Sequence, residues 1–481
     1  MRPGTAFDLS HVTPLSDRLT AVYLEFNGVL PLRVDNECVE VATWLPDVDP
    51  QVLDDLRFLF DAEPEVVQAP EAEIRAAIHR AYGADGVTAQ GGIAGMDNTD
   101  ASSAAATAET ALDDLVHLAN EGPVVKLVNL ILLEALEARA SDVHVEGYAD
   151  TLRVRYRIDG VLQDGPAPPA HLKAAIVSRL KIMADLDIAE RRVPQDGRIR
   201  LRLQDRQVDV RVSTVPVLHG ESVVLRLLDK ERSRIALEDL GMSEDTARDF
   251  AEAIRRPHGI VLSTGPTGSG KTTTLYAAID QIRTGREKIL TVEDPVEYEL
   301  AGVPQVPVHE KVGLTFATAL RSLLRQDPDV LLVGEIRDED TAEIATHAAL
   351  TGHLVLSTLH TNDAPSALVR LLDLGLAPYL VASTVEAVLA QRLVRRVCQA
   401  CEGRGERCEA CRGSGFRGRT GIYELLVMTD ELRRALPQHR GAGELRALAI
   451  AKGMRTLRAD GLRLVNEHVT TLEEVDRVTS A

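Results

Sequence analysis

Short apolar runs alternate with longer amphipathic segments through the second half of the chain. Four of these runs have strand length and end in polar or acidic residues: GIVLSTG (259–265), KILTVED (288–294), DVLLVGE (329–335) and HLVLSTL (353–359). Segments with helical spacing separate them, so the pattern predicts a parallel sheet covered by helices on both faces. We assign residues 237–396 to this α/β domain.

The region before it has a different periodicity, in which two helical segments are mixed with segments that alternate like half-buried strands. In chain order these are LVNLILLEALEARA, SDVHVE, TLRVRYRIDGVL, HLKAAIVSRLKIMADL, GRIRLRLQ and RQVDVRVSTV. The last two are predicted to form a hairpin. We interpret residues 112–236 as an α+β domain.

The beginning of the chain predicts a third, smaller unit. ECVEVATW alternates like a strand, whereas DPQVLDDLRFLF and PEAEIRAAIHRAY have helical spacing, which together indicate a small α/β domain over residues 1–83. Residues 84–111 are small and polar, and a segment with so little to bury is expected to be a flexible linker.

The end of the chain, residues 415–481, is interpreted as a helical region. Its amphipathic stretches, such as ELRALAIAKGMRTL, favour packing onto the preceding domain over binding a partner. A chain of 481 residues is also long for one core, which agrees with several domains.

Composition and charge narrow the class of protein. The chain is 45% hydrophobic and 26% charged, and it contains no run of about 18 apolar residues such as a transmembrane helix requires. It begins MRPGTAFDLS, without an export signal, so we expect a cytoplasmic protein with no transmembrane segment of its own. A net charge of −19 argues against direct nucleic-acid binding, although a local basic run lies at 392–396.

GPTGSGKT, residues 265–272, has the G-x-x-x-x-G-K-[ST] spacing of a phosphate-binding loop between an apolar strand and a helix. Lys271 is expected to reach the β and γ phosphates of a nucleotide and Thr272 to bind Mg²⁺. The glycines permit close approach of the backbone. The predicted nucleotide-binding residues are Gly265, Pro266, Thr267, Gly268, Ser269, Gly270, Lys271, Thr272 and Thr273.

Acidic residues end two of the predicted strands at the same edge of the sheet as this loop. Glu335 ends the more apolar strand and is placed to hold the Mg²⁺ shell or to polarise the attacking water. Glu293 and Asp294 end the other strand and could take whichever role remains. The sequence does not divide these roles among the three carboxylates.

Two histidines flank the last predicted strand. His360 follows its end, near the expected γ phosphate, and His353 opens it. A lone histidine is more often structural, so for His360 both a structural role and a role in positioning the γ phosphate stay open.

Four cysteines predict a metal site. Cys398, Cys401, Cys408 and Cys411 form two C-x-x-C pairs that offer four thiolates to a structural Zn²⁺, and we assign residues 397–414 to this module. Disulfides are the weaker alternative in a reducing compartment. Cys38 is expected to pack as a small apolar side chain.

The ordered motifs resemble those of a known family. GPTGSGKTTTLY, ILTVEDPVEYEL, LRQDPDVLLVGEIRD and TGHLVLSTLHTND are similar to the phosphate loop, aspartate box, strand-end glutamate motif and histidine box of secretion ATPases. Within these, the chain resembles the cytoplasmic ATPase of type II secretion, a sister of the type IV pilus assembly ATPase. ASDVHVE, LRVRYRIDGVL, RVPQDGRI and VDVRVST resemble the family's PAS-like domain.

The resemblance implies a multidomain α/β protein with a RecA-like ATPase core, preceded by a PAS-like domain and a small N-terminal domain. It implies a homohexamer that uses ATP, Mg²⁺ and Zn²⁺, held at the inner membrane by an adaptor and a platform protein, and assembling a pseudopilus. GVLPLRVDNECVEVATW resembles the adaptor-docking domain. Arg198 and Arg211 match family positions that contact phosphates bound to another domain.

One departure and three alternatives remain. Six residues separate the two cysteine pairs, where many relatives of this family carry a long insertion. The type IV pilus assembly ATPase is the first alternative function. A nucleic-acid translocase is disfavoured by the acidic charge and by aromatic residues at only 3%. A scaffold that binds ATP without turnover is disfavoured by the intact Lys271, Thr272 and Glu335.

Overall fold

The computed structural model describes most of the chain in detail. The described residues are 15–16, 19, 24, 27–34, 38–45, 48, 50–60, 62–82, 122–203, 206–229, 235–438 and 441–480. The predicted linker at 84–111 lies outside them. Internal contacts divide the chain into two compact units, Met1–Ile158 with Leu162–Leu227, and Asp159–Val161 with Leu228–Ala481.

A three-stranded sheet lies in the N-terminal region. Its elements are strand β1 (Val29–Val34), strand β2 (Cys38–Thr43), helix α1 (Pro50–Phe60), strand β3 (Glu63–Gln68) and helix α2 (Glu71–Tyr82). β2 pairs antiparallel with β1 and parallel with β3. The strand and both helices predicted here are confirmed, whereas β1 and β3 were not predicted. Pro31 interrupts β1, and β3 is largely exposed, so neither presents an alternating apolar pattern.

The α+β region contains a six-stranded sheet with strand order β6-β5-β4-β9-β8-β7. Its elements are α3 (Gly122–Glu137), β4 (Ala140–Gly147), β5 (Leu152–Ile158), β6 (Val161–Asp164), α4 (Lys173–Met183), β7 (Gln195–Leu203), β8 (Arg206–Val217) and β9 (Gly220–Asp229). The predicted hairpin is confirmed as the antiparallel pair β7 and β8. Apolar side chains of the strands share one buried core with α3 and α4.

The α/β region is built on a seven-stranded sheet with order β12-β11-β13-β14-β10-β15-β16. Its strands are β10 (Gly259–Thr264), β11 (Ile289–Glu293), β12 (Gln305–Pro307), β13 (Val330–Val333), β14 (Leu354–Leu359), β15 (Val385–Val397) and β16 (Phe416–Val427). The four strands predicted from apolar runs are confirmed and run parallel. β15 continues the parallel order beside β10, and β16 turns back antiparallel to β15.

Helices cover both faces of this sheet, as predicted. They are α5 (Glu244–Ala253), α6 (Lys271–Ile282), α7 (Phe316–Leu323), α8 (Glu339–Leu350), α9 (Ala364–Asp373) and α10 (Pro378–Thr384). Successive residues of β13 belong to different cores: Leu331 packs with α7 to α10, whereas Leu332 packs with α5 and α6. This double burial explains why the strands are continuous apolar runs.

The C-terminal region corrects one boundary. Residues 415–481 were interpreted as helical, but the region opens with β16, and helices begin only at α11 (Asp430–Ala435). In β16, Ile422 and Tyr423 pack into the cores on opposite faces, as strand side chains do. The remaining helices are α12 (Ala442–Ala451), α13 (Leu457–Asn466) and α14 (Leu472–Thr479).

These C-terminal helices belong to the same core as the sheet. Leu445, Leu464 and Val475 are buried among residues of β13, β14 and β15. The expectation that the amphipathic tail packs onto the preceding domain agrees with this burial. Among the described residues, no helix combines the length and the apolar character needed to cross a bilayer.

Candidate functional site

The phosphate loop connects β10 to α6 and depends on its glycines. Gly265, Gly268 and Gly270 have φ of 149°, 77° and 91°, which side-chain-bearing residues rarely adopt. A Cβ atom on Gly265 would also lie 2.6 Å from the carbonyl oxygen of Gln391. The backbone therefore forms an arch that few other residue types would allow.

Lys271 lies beneath this arch at the first position of α6. Its Nζ donates hydrogen bonds to the carbonyl oxygens of Gly265, at 2.8 Å, and Pro266, at 3.1 Å. Burial lowers the pKa of Lys271 to about 8, while the negative charge of Glu335 acts in the opposite direction. The buried ammonium, the glycine arch and the free N–H groups of a helix N-terminus fit the phosphates of a nucleotide.

Glu335 follows the end of β13 after one glycine, Gly334, and lies at the same edge of the sheet. Its carboxylate lies 3.4 Å from Nε2 of His360 and 2.5 Å from the guanidinium of Arg337. Thr358 holds the backbone on both sides of Glu335: its hydroxyl donates to the carbonyl of Gly334, and its carbonyl accepts from the N–H of Ile336. The carboxylate is therefore positioned by neighbours rather than free in solvent.

The two acidic residues at the end of β11 lie in different environments. Glu293 is buried and accepts hydrogen bonds from Tyr276, from Thr291 at 2.6 Å and from Gln305 at 3.1 Å. Asp294 is exposed instead. A hydrogen bond to Glu335 raises the pKa of Arg337, and the charge of Asp294 adds to this effect. Asp294 therefore shares an electrostatic environment with Glu335, whereas the oxygens of Glu293 are occupied by interior donors.

The two histidines differ in their surroundings. His360 is half exposed and faces Glu335. The following residue, Thr361, donates its N–H to the hydroxyl of Thr264 at 2.9 Å, which ties this segment to the start of the phosphate loop. His353 places Nδ1 2.9 Å from the carbonyl of Ala348 at the end of α8, an environment that supports a structural role.

The four cysteines converge on one point. Their sulfur atoms all lie within 4.8 Å of one another, with 4.0 Å between Cys398 and Cys408 and 3.7 Å between Cys401 and Cys411. Tetrahedral zinc with bonds of about 2.3 Å requires sulfur atoms about 3.8 Å apart. The N–H groups of Gly405 and Gly415 donate to the sulfurs of Cys401 and Cys411. This donor set fits Zn²⁺.

The cysteine module is an internal repeat that sequence reasoning missed. Residues 398–405 and 408–415 both read C-x-A-C-x-G-x-G, ten positions apart. In the two halves, corresponding glycines have nearly equal positive φ. A Cβ on Gly405 would lie 2.6 Å from the carbonyl of Gly413, and one on Gly415 equally close to that of Gly403. The spacing of the glycines after each cysteine pair was the signal that could have revealed this symmetry.

Arg198 and Arg211 are direct cross-strand neighbours in β7 and β8. Both lie on the face opposite the buried Ile199 and Val210. Two neighbouring guanidinium groups on one face of a sheet are a donor set that suits phosphate oxygens. They belong to the first compact unit, and the phosphate loop belongs to the second.

The basic run at 392–396 does not form a surface patch. Arg392 is buried beside the phosphate loop. Arg395 donates to Glu474 of α14, with a closest distance of 2.5 Å. Three residues that contact the site were not predicted from the sequence: Thr358, Gln391 and Arg392. Their signal was weak, because β14 and β15 contain other polar residues as well, such as Ser357 and Glu386.

Comparisons with known proteins agree on one family. Residues 117–477 match the model of the family described as Type II/IV secretion system protein, and residues 6–88 match the MshEN domain. The Type II secretion system protein HxcR of Pseudomonas aeruginosa is 55% identical over 76% of this chain and 79% of that protein. The Type II secretion system protein E of Xanthomonas campestris is 49% identical over 91% of this chain and 80% of that protein. The Type IV pilus assembly ATPase PilB of Myxococcus xanthus is 47% identical over 88% of this chain and 79% of that protein.

Solved structures support the fold. The Legionella pneumophila ATPase DotB superposes with a TM-score of 0.58 at 22% identity, over 74% of this chain and 95% of that one. The pilus retraction motor PilT, solved with bound ADP, gives 0.54 at 27% identity, over 73% and 96%. The mixed α/β fold class predicted from the sequence is thus confirmed. With a family model matching most of its length, the chain belongs to the Type II/IV secretion system protein family.

Proposed function

We propose that this chain is an ATPase that powers protein export by a type II secretion system. The observation that carries the proposal is the sheet edge where a glycine arch, the buried Lys271 and the Glu335–His360 pair occur together. The relatives named as type II secretion proteins support the assignment to that system.

Each residue at this edge of the sheet has a different role in the cleavage of the γ phosphate. Lys271 and the N–H groups that open α6 hold and neutralise the β and γ phosphates, while the hydroxyl of Thr272 would be a ligand for Mg²⁺. Mg²⁺ supplies further charge neutralisation between the phosphates when it is bound. Glu335 orients the attacking water and accepts its proton, and His360 lies on the side of the γ phosphate. Asp294 is the better candidate than Glu293 for a further role in the metal shell, because its oxygens are exposed.

The cysteine module takes a structural part in this proposal. Four thiolates saturate a tetrahedral ion and leave no open position for a substrate. Zn²⁺ at Cys398, Cys401, Cys408 and Cys411 therefore stabilises the connection between β15 and β16 rather than acting in the reaction.

We extend the proposal to a homohexameric ring at the inner membrane, held there by an adaptor and acting on a platform protein. In such a ring Arg198 and Arg211 of one subunit contact the phosphates bound to the next. Cleavage removes the charge that holds these domains together, which would convert hydrolysis into movement.

The decisive experiment measures ATP binding and phosphate release for Glu335→Gln and Lys271→Ala in the assembled protein. Glu335→Gln is expected to bind ATP like the unchanged protein but to lose turnover by about a hundredfold or more, as for other positioned acid–base groups. Glu343→Gln, an exposed glutamate on α8, is the matched control and should behave like the unchanged protein. Turnover that survives Glu335→Gln contradicts the assignment.

The type IV pilus assembly ATPase is the second candidate, favoured by the 47% identity to the Myxococcus protein. Co-purification from the native host distinguishes the two, since secretion and pilus machineries supply different membrane platforms. Stimulation of hydrolysis by DNA would instead favour a nucleic-acid translocase.

A further inference from the structure

Strand β15 lies next to β10 and passes directly beside the phosphate loop. Gln391 of this strand is only 1% exposed, and its side-chain amide bridges two parts of the loop region. Its Oε1 accepts from the hydroxyl of Ser263 at 3.2 Å, before the loop, and its Nε2 donates to the carbonyl of Ser269 at 2.7 Å, near the end of the loop.

The same residue also contacts both ends of the glycine arch. A Cβ on Gly265 would lie 2.6 Å from the carbonyl oxygen of Gln391, and a Cβ on Gly270 would lie 3.0 Å from its Nε2. The backbone carbonyl of Gln391 therefore leaves no room for a side chain at Gly265, and its side-chain amide would have to shift to admit one at Gly270. Both glycines also have positive φ. One glutamine thus limits how far the two ends of the loop can move apart or together.

Arg392 flanks the loop from the opposite face of the strand. Its guanidinium donates to the carbonyls of Gln391 at 3.1 Å and Asn362 at 3.0 Å, and a Cβ on Gly265 would lie 3.1 Å from it. Within the described part of the chain, Arg392 makes no ion pair with an aspartate or glutamate at 4.0 Å or closer. The carboxylates of Asp363 and Glu424 act on Arg392 from farther away, but burial outweighs them and lowers its pKa. A phosphate group bound beside the loop would therefore add counter-charge to a guanidinium that the interior compensates only in part.

We propose that Gln391 and Arg392 are positioning residues of the nucleotide site: Gln391 fixes the opening of the phosphate loop, and Arg392 adds a fixed positive charge behind it. The inference rests on the proposed ATPase function. A purely structural role would predict reduced stability with unchanged affinity of the folded protein for nucleotide. The positioning role predicts a loss of affinity beyond any loss of stability.

The test of Gln391 compares Gln391→Met with Thr384→Val in the full-length assembly. Thr384 is buried just before β15, and its hydroxyl donates to Leu380, so Thr384→Val also removes a buried hydrogen bond without touching the loop. Calorimetric titration with MgATP is expected to show about tenfold weaker binding for Gln391→Met, the effect of losing buried hydrogen bonds at the site. Thr384→Val should keep the affinity of the unchanged protein at a comparable melting temperature.

The test of Arg392 uses its charge. Arg392→Gln should weaken binding of ATP more than binding of ADP, because the lost charge acts on the phosphates, and Arg392→Lys should restore part of the difference. If Arg392→Gln weakens the binding of ATP and of ADP equally, the inference is overturned. It is also overturned if Gln391→Met or Arg392→Gln binds nucleotide as tightly as the unchanged protein. Failure of the unchanged protein to bind MgATP would instead overturn the proposed function, so the two failures are distinguishable.

Discussion

Lys271 is a buried ammonium whose charged form is less stable in the protein than in water. Burial lowers its pKa to about 8, and the carbonyl oxygens of Gly265 and Pro266 are the acceptors that it contacts. Phosphate oxygens carry full negative charge and stabilise the protonated form far better than carbonyls do. Nucleotide binding and protonation of Lys271 are therefore expected to be coupled.

This coupling predicts a pH dependence of ATP affinity. Because the folded pKa lies below the ordinary value of 10.5, Lys271 is charged below about pH 8 and loses its proton above it. Affinity for MgATP should be constant from pH 7 to about 8 and then fall as pH rises, by up to about tenfold per unit. Titrations above pH 8 in buffers of different ionisation enthalpy should show proton uptake on binding. Affinity independent of pH up to 9.5 would contradict the coupling.

Thr358 acts on Glu335 through the backbone. Its hydroxyl and carbonyl bind the residues on either side of Glu335, so it controls where the carboxylate points. The preceding residue, Ser357, makes a similar hydrogen bond of 2.7 Å to Val333, one position farther from the acid. The two hydroxyls form a natural matched pair.

Thr358→Val is therefore expected to lower the turnover number about tenfold while leaving ATP affinity unchanged, since small misplacement of a catalytic group is costly. Ser357→Ala removes an equivalent buried bond and should keep the turnover number near that of the unchanged protein. Steady-state phosphate release with varied MgATP separates the two parameters. If both variants lower the turnover number equally, the hydroxyl of Thr358 contributes only to stability.

At the scale of elements, the cysteine module is an insertion at the end of a hairpin. β15 and β16 pair antiparallel up to Val397 and Phe416, which face each other. Residues 398–415 occupy the space between these two partners, so the chain leaves and re-enters the sheet at one point. The module and the sheet are separable in sequence.

This separability predicts the outcome of a replacement. Exchanging residues 398–415 for Asn-Gly, a dipeptide suited to a tight hairpin turn, should abolish zinc binding and leave MgATP affinity unchanged. Metal analysis and calorimetric titration measure the two results. Cys401→Ser, which removes one thiolate but keeps the insertion, is the companion variant and should lose zinc as well. Loss of nucleotide binding in a folded replacement variant would show that the module supports the loop.

Sequence patterns predicted some elements well because burial on two faces leaves a continuous apolar run. This is true of β10, β11, β13 and β14. β16 was missed because charged residues interrupt it: Arg417 and Arg419 lie at its exposed end, and Glu424 is buried within it to accept from Ala364 and Leu457. The function of Gln391 depends on contacts with residues more than 120 positions away, which no local pattern contains.

At the scale of the whole molecule, the proposed reaction draws on both compact units. The phosphate loop, Glu335 and His360 belong to the second, whereas Arg198 and Arg211 belong to the first. In the proposed ring these arginines complete the site of a neighbouring subunit. Catalysis would then be a property of the interface between copies rather than of one chain.

Mixing two inactive variants tests this directly. Arg211→Ala and Glu335→Gln should each lack turnover, and equal mixtures should regain activity, because about one quarter of the interfaces in a randomly mixed ring have both residues intact. Phosphate release after subunit exchange is the measurement. A mixture as inactive as its components, under conditions in which exchange is demonstrated, would place both residues in the same subunit's site.

The repeat in the cysteine module has a practical consequence. Its two halves are joined along the chain by Glu406 and Arg407 alone, and both residues are exposed. Neither supplies a thiolate or one of the symmetric glycines. The N–H of Cys408 donates to the carbonyl of Gly405 across this link at 3.1 Å, so an inserted segment has to be long enough to form a loop without that hydrogen bond. A peptide tag or dye-binding sequence introduced between Glu406 and Arg407 would label every copy of the protein at a known position. The labelled protein could then be followed in living cells.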